Sequence, residues 1–155
     1  MQRYRLLFLS TLLITLGNLL SHPAVAQRAA GDIGIGLQAG QPSGLSIGVY
    51  QPTGMGLDIL AAWDLNDFFY INPHGLFTNH IGDSETFHLF YGPGFFVGLH
   101  DEGSEDRLRL GVSGTGGLSV MLGSFEIYGR VTPRLELIDE TDVDIGGGLG
   151  FRLYL

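Results

Sequence analysis

The sequence contains no cysteine and no lysine, and each absence excludes a class of protein. Without cysteine there is no lipid anchor on a cysteine, no disulfide framework and no thiol nucleophile. The 8 residues counted as lysine or arginine are all arginine. Soluble domains normally cover their surface with lysine and glutamate, so this chain, rich in Gly, Leu and Phe, is not built to face water on every side.

The N-terminus has the layout of an export signal. Arg3 and Arg5 precede an apolar run over residues 6–20, and Ala24-Val25-Ala26 supplies a cleavage site of small residues. The run is shorter than the ~20 residues that a membrane-spanning helix needs, and no basic cluster follows it. We therefore predict a signal peptide over residues 1–26, cleaved after Ala26, and a single domain over residues 27–155.

The predicted mature chain is acidic and rich in glycine. It keeps all 16 acidic residues but only six arginines, which gives a formal charge of −10. That charge argues against binding to nucleic acid. The 25 glycines are spread along the chain, where they oppose long helices and suit tightly curved sheet.

Hydrophobic residues alternate with polar residues or glycine, which indicates β-strands. The pattern is clearest at the C-terminus, where Val143, Ile145, Leu149, Phe151 and Leu153 share one face. Polar, turn-forming connections separate the strands, over residues 41–43, 51–54, 64–67, 79–85, 101–106 and 139–142. The predicted strands span residues 33–41, 44–50, 55–63, 68–78, 86–100, 107–122, 125–137 and 143–155.

Eight strands with uncharged apolar faces predict an all-β, antiparallel, up-and-down transmembrane barrel in the bacterial outer membrane. The apolar faces hold seven or eight successive outward positions without a charge, enough to cross the ~25 Å apolar band of that membrane. The polar faces carry acids and arginines in nearly equal number, as a narrow lumen with paired charges requires. The candidate lumen-lining residues are Asp58, His74, His88, Arg107, Arg109, Glu126, Arg130, Arg134, Glu136, Asp144 and Arg152.

Four stretches resemble small bacterial outer-membrane β-barrel proteins with the eight-stranded plan of the OmpA and OmpX type. They are Pro42-Ser43-Gly44-Leu45-Ser46, Tyr91-Gly92-Pro93-Gly94, Pro133-Arg134-Leu135-Glu136-Leu137 and the segment 146–154. The final strand also resembles the signal that barrel-assembly machinery recognises, although Leu155 replaces the more usual terminal Phe. The resemblance implies a partner in that machinery, a surrounding of outer-membrane lipid, and no catalytic residues.

The sequence predicts no enzyme, cofactor or metal site. None of the histidines is followed by Ser two positions later, unlike the His-x-Ser pair of barrel lipid A deacylases. His74 and His88 could approach each other inside the barrel, but zinc requires three or four ligands. The better interpretation is that both histidines fill space in the lumen and form hydrogen bonds. The acidic segment 101–106 lacks the spacing of an EF-hand and is interpreted as a solvated loop.

Two functions therefore remain open for the predicted barrel. It is a structural membrane protein or a narrow porin-like channel for small solutes, with eight strands favouring a filled lumen. The alternative is a surface-exposed interaction protein, which the short loops disfavour. A soluble periplasmic β-sandwich binding protein is the remaining interpretation, because a soluble sheet also alternates.

Overall fold

The computed structural model of the protein describes residues 28–63, 68–101, 106–138 and 141–155, so the predicted signal peptide lies outside it. None of these residues belongs to a helix long and apolar enough to cross a membrane. The strands are β1 (Ile33–Gln41), β2 (Gly44–Val49), β3 (Gly56–Trp63), β4 (Phe68–Ile81), β5 (Ser84–Asp101), β6 (Asp106–Leu122), β7 (Phe125–Glu136) and β8 (Val143–Tyr154).

The eight strands form a closed barrel in chain order, which confirms the predicted fold class. Each strand pairs antiparallel with the next, and β8 returns to pair with β1, with Leu37 opposite Phe151. Because the strand number is even, Arg28 and Leu155 lie at the same end of the barrel, here called the terminal end. The other end, which carries Pro42-Ser43 and the β7–β8 connection, is called the loop end.

Side chains alternate between the outside and the inside of the barrel along every strand. In β1, Ile33, Ile35 and Leu37 are exposed, whereas Gly36 and Gln38 are buried. Large apolar side chains are exposed on every strand except β2, whose apolar residues are half-buried. Among the described residues the buried side is mainly polar or glycine, so this barrel has the reverse of a soluble protein's arrangement.

The predicted loop over residues 79–85 is wrong. β4 continues to Ile81 and β5 begins at Ser84, so only Gly82-Asp83 turns the chain. Gly82 adopts a φ of 61°, and Gly123 in the β6–β7 turn a φ of 66°, a backbone region that glycine enters without steric cost. Asn79 and His80 look like loop residues because polar side chains occupy both faces of the strand near its end.

Prolines interrupt the pairing between two pairs of strands. The register of β4 with β5 skips the positions of Pro73 and Pro93, and that of β6 with β7 skips Pro133. Proline has no N–H to donate to the neighbouring strand. At the β6–β7 interruption the hydroxyl of Thr115 donates instead to the carbonyl of Val131, at 3.4 Å.

Candidate functional site

The middle of the lumen is occupied by a carboxylate between two guanidinium groups. Asp58 is fully buried at 0% exposure. One of its oxygens accepts a hydrogen bond from Nη1 of Arg130 at 2.5 Å, and the other accepts one from Nη2 of Arg152. Asp58 lies on β3 and Arg130 on β7, which are on opposite walls of an eight-stranded barrel. The ion pair therefore crosses the lumen and fills its centre.

The terminal end of the lumen is closed by a second carboxylate, that of Glu126. It accepts hydrogen bonds from Arg152 at 3.4 Å, Arg28 at 3.2 Å and the hydroxyl of Tyr154 at 3.0 Å. The guanidinium of Arg28 also lies over the ring of Tyr50, 4.2 Å from its centroid. Arg152 thus joins Glu126 to Asp58, and the two acidic groups belong to one buried network.

Neutral side chains continue this arrangement from the centre towards the loop end. The hydroxyl of Ser113 donates to Oδ1 of Asn72 at 2.9 Å and lies 3.1 Å from Nε2 of His74. Because a hydroxyl has one proton, Nε2 of His74 is the donor in the second bond. The amide of Asn72 donates to the hydroxyl of Tyr70 at 2.8 Å, which also accepts from Arg134 at 3.4 Å.

Two ion pairs lie near the loop end. Arg134 pairs with Asp144, and Arg109 donates to Glu136 through Nε at 2.9 Å and Nη2 at 2.5 Å. The side chains of Arg109 and Asp144 are 43% and 50% exposed, so these pairs are far less desolvated than those of Asp58. They form the rim of the lumen rather than its core.

Two small spaces lie at the two ends of the network, among lumen residues that the structure describes. One cavity of about 20 Å³ lies among Tyr70, Arg109 and Arg134. Another of about 20 Å³ lies among Arg28, Glu126 and Tyr154. Each volume is close to that needed by one water molecule. The buried Asp58 network separates them.

The structure places ten of the eleven candidate lumen residues on the inner face of the barrel. Asp58, His74, His88, Glu126, Arg130 and Arg152 are buried, and the four residues of the rim pairs are more exposed. The backbone of Arg107 pairs with His100, but its side chain lies outside the described part of the chain.

The two histidines that the sequence placed on one face do not meet. His74 is opposite Gly94, whereas His88 is opposite His80, with the ring centroids of that pair 4.6 Å apart. Within the described residues, no three or more His, Cys, Asp or Glu are grouped so that they could hold a metal ion. His74 serves as a hydrogen-bonding residue beside Asp58, at 3.9 Å.

The candidate lumen residues predicted from the sequence omit Arg28 and two tyrosines whose hydroxyls bind lumen side chains, Tyr70 and Tyr154. Arg28 precedes β1, so no strand alternation marks it. Alternation places Tyr70 and Tyr154 on the polar faces of β4 and β8, but it does not show that their hydroxyls bind Arg134 and Glu126.

Two solved structures of outer-membrane barrels are similar to this chain in fold. The N-terminal β-barrel domain of Pseudomonas aeruginosa OprF superposes with a TM-score of 0.65 at 11% identity, covering 81% of this chain and 98% of that one. Neisserial surface protein A, NspA, gives a TM-score of 0.50 at 14% identity, covering 79% and 92%.

Comparison with protein-family models and with curated proteins gave no match. At identities of 11% and 14%, the structural likeness carries the fold and not an activity. The apolar exterior and the polar interior agree with the outer-membrane location that the sequence predicts. The chain thus has the fold of a small outer-membrane protein, a closed barrel of eight antiparallel strands.

Proposed function

We propose that the protein is a structural barrel of the outer membrane whose lumen is closed by its own ion pairs. The observation that carries the proposal is the Asp58–Arg130 pair, which joins opposite walls of the barrel with a side-chain exposure of at most 1%. An open water path would hydrate these groups. Instead they are bound to one another, as expected of a filled eight-stranded barrel.

The same contacts argue against an enzyme and against a cofactor-dependent role. The buried carboxylates are each held by at least two protein donors, so neither is presented to a substrate. Lipid of the outer membrane covers the exposed apolar residues, and barrel-assembly machinery inserts the chain. The short connections at the loop end give little surface for a binding partner, so a surface interaction role has less support.

The location can be tested with charged substitutions on the outer face. Val131, near the middle of β7, is 56% exposed, and Leu155, at the end of the chain, is 78% exposed. In lipid vesicles Val131→Arg should lower the free energy of unfolding by about 2–4 kcal/mol, and Leu155→Arg by about 0–1 kcal/mol, because the cost of a charge falls towards the membrane surface. Urea titrations of the refolded variants measure both.

The difference in stability between these two variants shows whether the outer face of the barrel contacts lipid or water. If the exterior faced water, both arginines would be harmless and the protein would remain folded without detergent or lipid. That result would support a water-soluble barrel and contradict the proposal.

Closure of the lumen can be tested in planar bilayers. The wild-type protein should insert without giving a steady conductance, because the Asp58 network fills the centre. Arg134→Ser, which removes a rim pair beside a small cavity, should leave the protein non-conducting, because Asp58 remains paired. Folding of the barrel in the lipid sample is verified independently by the change of gel mobility on boiling.

A narrow channel would give a different result. Steady, ion-selective conductance of the inserted wild-type protein would contradict the closed lumen. A large rise in conductance in Arg134→Ser with unchanged stability would identify the rim as a gate.

A further inference from the structure

Among the described residues, the buried charges of the lumen do not cancel. Three guanidinium groups, those of Arg28, Arg130 and Arg152, lie with two carboxylates, those of Asp58 and Glu126. The side chains of all five are at most 6% exposed. One positive charge is therefore in excess, and protonation of His74 or His88 would increase the excess. A buried charge without a counter-charge is strongly unfavourable in a low-dielectric interior.

The excess positive charge has a specific place, the free edge of Arg130. Its Nη1 donates to Asp58, while its Nε and Nη2 are buried and find no acceptor among the described residues. These two nitrogens are the parallel donors with which a guanidinium binds an anion in a bidentate manner. The Arg130 side chain is only 1% exposed, so bulk water does not solvate that edge freely.

The residues opposite Arg130 on the two neighbouring strands offer no side-chain acceptor to its Nε and Nη2. In the register of β7 with its neighbours, Arg130 is opposite Gly117 on β6 and Gly148 on β8. Neither residue has a side chain that could accept a hydrogen bond from the guanidinium. Thr132, the next inward residue of β7, has its hydroxyl 3.2 Å from that of Thr115.

We propose that the Nε–Nη2 edge of Arg130 binds one small monovalent inorganic anion of about the size of chloride. A single negative charge would neutralise the excess of one, and two parallel N–H donors can share one spherical ion. The crowded lumen excludes large organic anions. This site does not depend on whether the lumen conducts, because it is defined by the buried charges and by the arginine geometry alone.

Crystals of the refolded wild-type protein grown in sodium bromide test the site directly. Anomalous diffraction at the bromine edge should give a peak within hydrogen-bonding distance of Nε and Nη2 of Arg130. A water molecule at this position without anomalous signal would overturn the proposal. Bromide peaks confined to the protein surface would overturn it equally.

Unfolding in chloride provides a second test, in solution. Urea titrations are carried out with chloride replacing gluconate at constant ionic strength. Once the site is saturated, the unfolding equilibrium constant should fall about tenfold for each tenfold rise in chloride, because the anion binds only the folded state. Arg130→Lys, which keeps the charge but removes the bidentate edge, should abolish the dependence.

Arg134→Lys, at the rim, is the matched control and should retain the dependence on chloride. A wild-type protein whose stability does not change between gluconate and chloride would contradict the proposal, as would an unchanged dependence in Arg130→Lys. If Arg130→Lys does not refold, the wild-type titration and the bromide diffraction still decide the question.

Discussion

Asp58→Asn should lower the free energy of unfolding by about 3–5 kcal/mol, the cost of leaving one partner of a buried ion pair unpaired. Asparagine has nearly the same size as aspartate, so the loss arises from charge and not from a cavity. Arg130 and Arg152 would then share a buried interior without their common carboxylate. Urea titration in lipid vesicles measures the loss, and the single tryptophan, Trp63, 59% exposed on the outer face, reports on insertion and unfolding.

Asp144→Asn provides the matched control for this charge. It removes the same chemical group from an arginine pair, but the Asp144 side chain is 50% exposed. Solvent screens such a pair, so its loss should cost only about 0–1 kcal/mol. Equal losses in the two variants would contradict a central role for the Asp58 network.

The double variant Asp58→Asn/Arg130→Gln extends this test to the partner. Removing Arg130 as well deletes one of the two positive charges that Asp58→Asn leaves without their carboxylate. The double variant should therefore be more stable than Asp58→Asn alone, although Arg130 is itself buried and hydrogen-bonded in the wild-type protein. A double variant that is less stable than either single variant would show that packing, and not charge, dominates at this position.

The fold was predictable because the membrane imposes a strict pattern on each strand. An apolar residue at every second position is required where lipid covers the outer face, and β1 shows this from Ile33 to Ala39 and β8 from Leu149 to Leu153. The prediction failed over residues 79–85, where β4 and β5 run past their apolar segments. Polar residues are tolerated there on both faces, so alternation no longer separates strand from turn.

The inward parity of the charged residues was predictable, but their partners were not. Alternation places Asp58, Arg130 and Arg152 inside without stating which of them meet. Their contact depends on the stagger between strands that are distant in sequence, with Asp58 and Arg130 separated by 72 positions. Strand tilt and stagger fix this register when the barrel closes, and a single strand's sequence does not encode them.

The second large effect is expected at Gly92, in the seam between β4 and β5. Pro73 and Pro93 remove hydrogen-bond donors from this seam, and the carbonyl oxygen of Gly75 lies directly against Gly92. A Cβ at Gly92 would overlap that oxygen, which belongs to the backbone and cannot rotate away as a side chain can. Gly92→Ala should therefore destabilise the barrel by about 3 kcal/mol, at the upper end of the range for overpacking.

Gly116→Ala separates this steric effect from the general preference of strands for residues other than glycine. Gly116 lies on β6 with nothing within 4 Å of an added Cβ, so alanine should be neutral or stabilise the barrel by about 0.5–1 kcal/mol. Both variants are compared by urea titration in the same vesicles. If Gly92→Ala were as stable as Gly116→Ala, β4 and β5 would have to lie further apart, with the seam held by contacts other than this close backbone approach. A selective loss in Gly92→Ala would instead identify the Gly-Pro-Gly segment as a place where the close approach of the β4 and β5 backbones requires glycine.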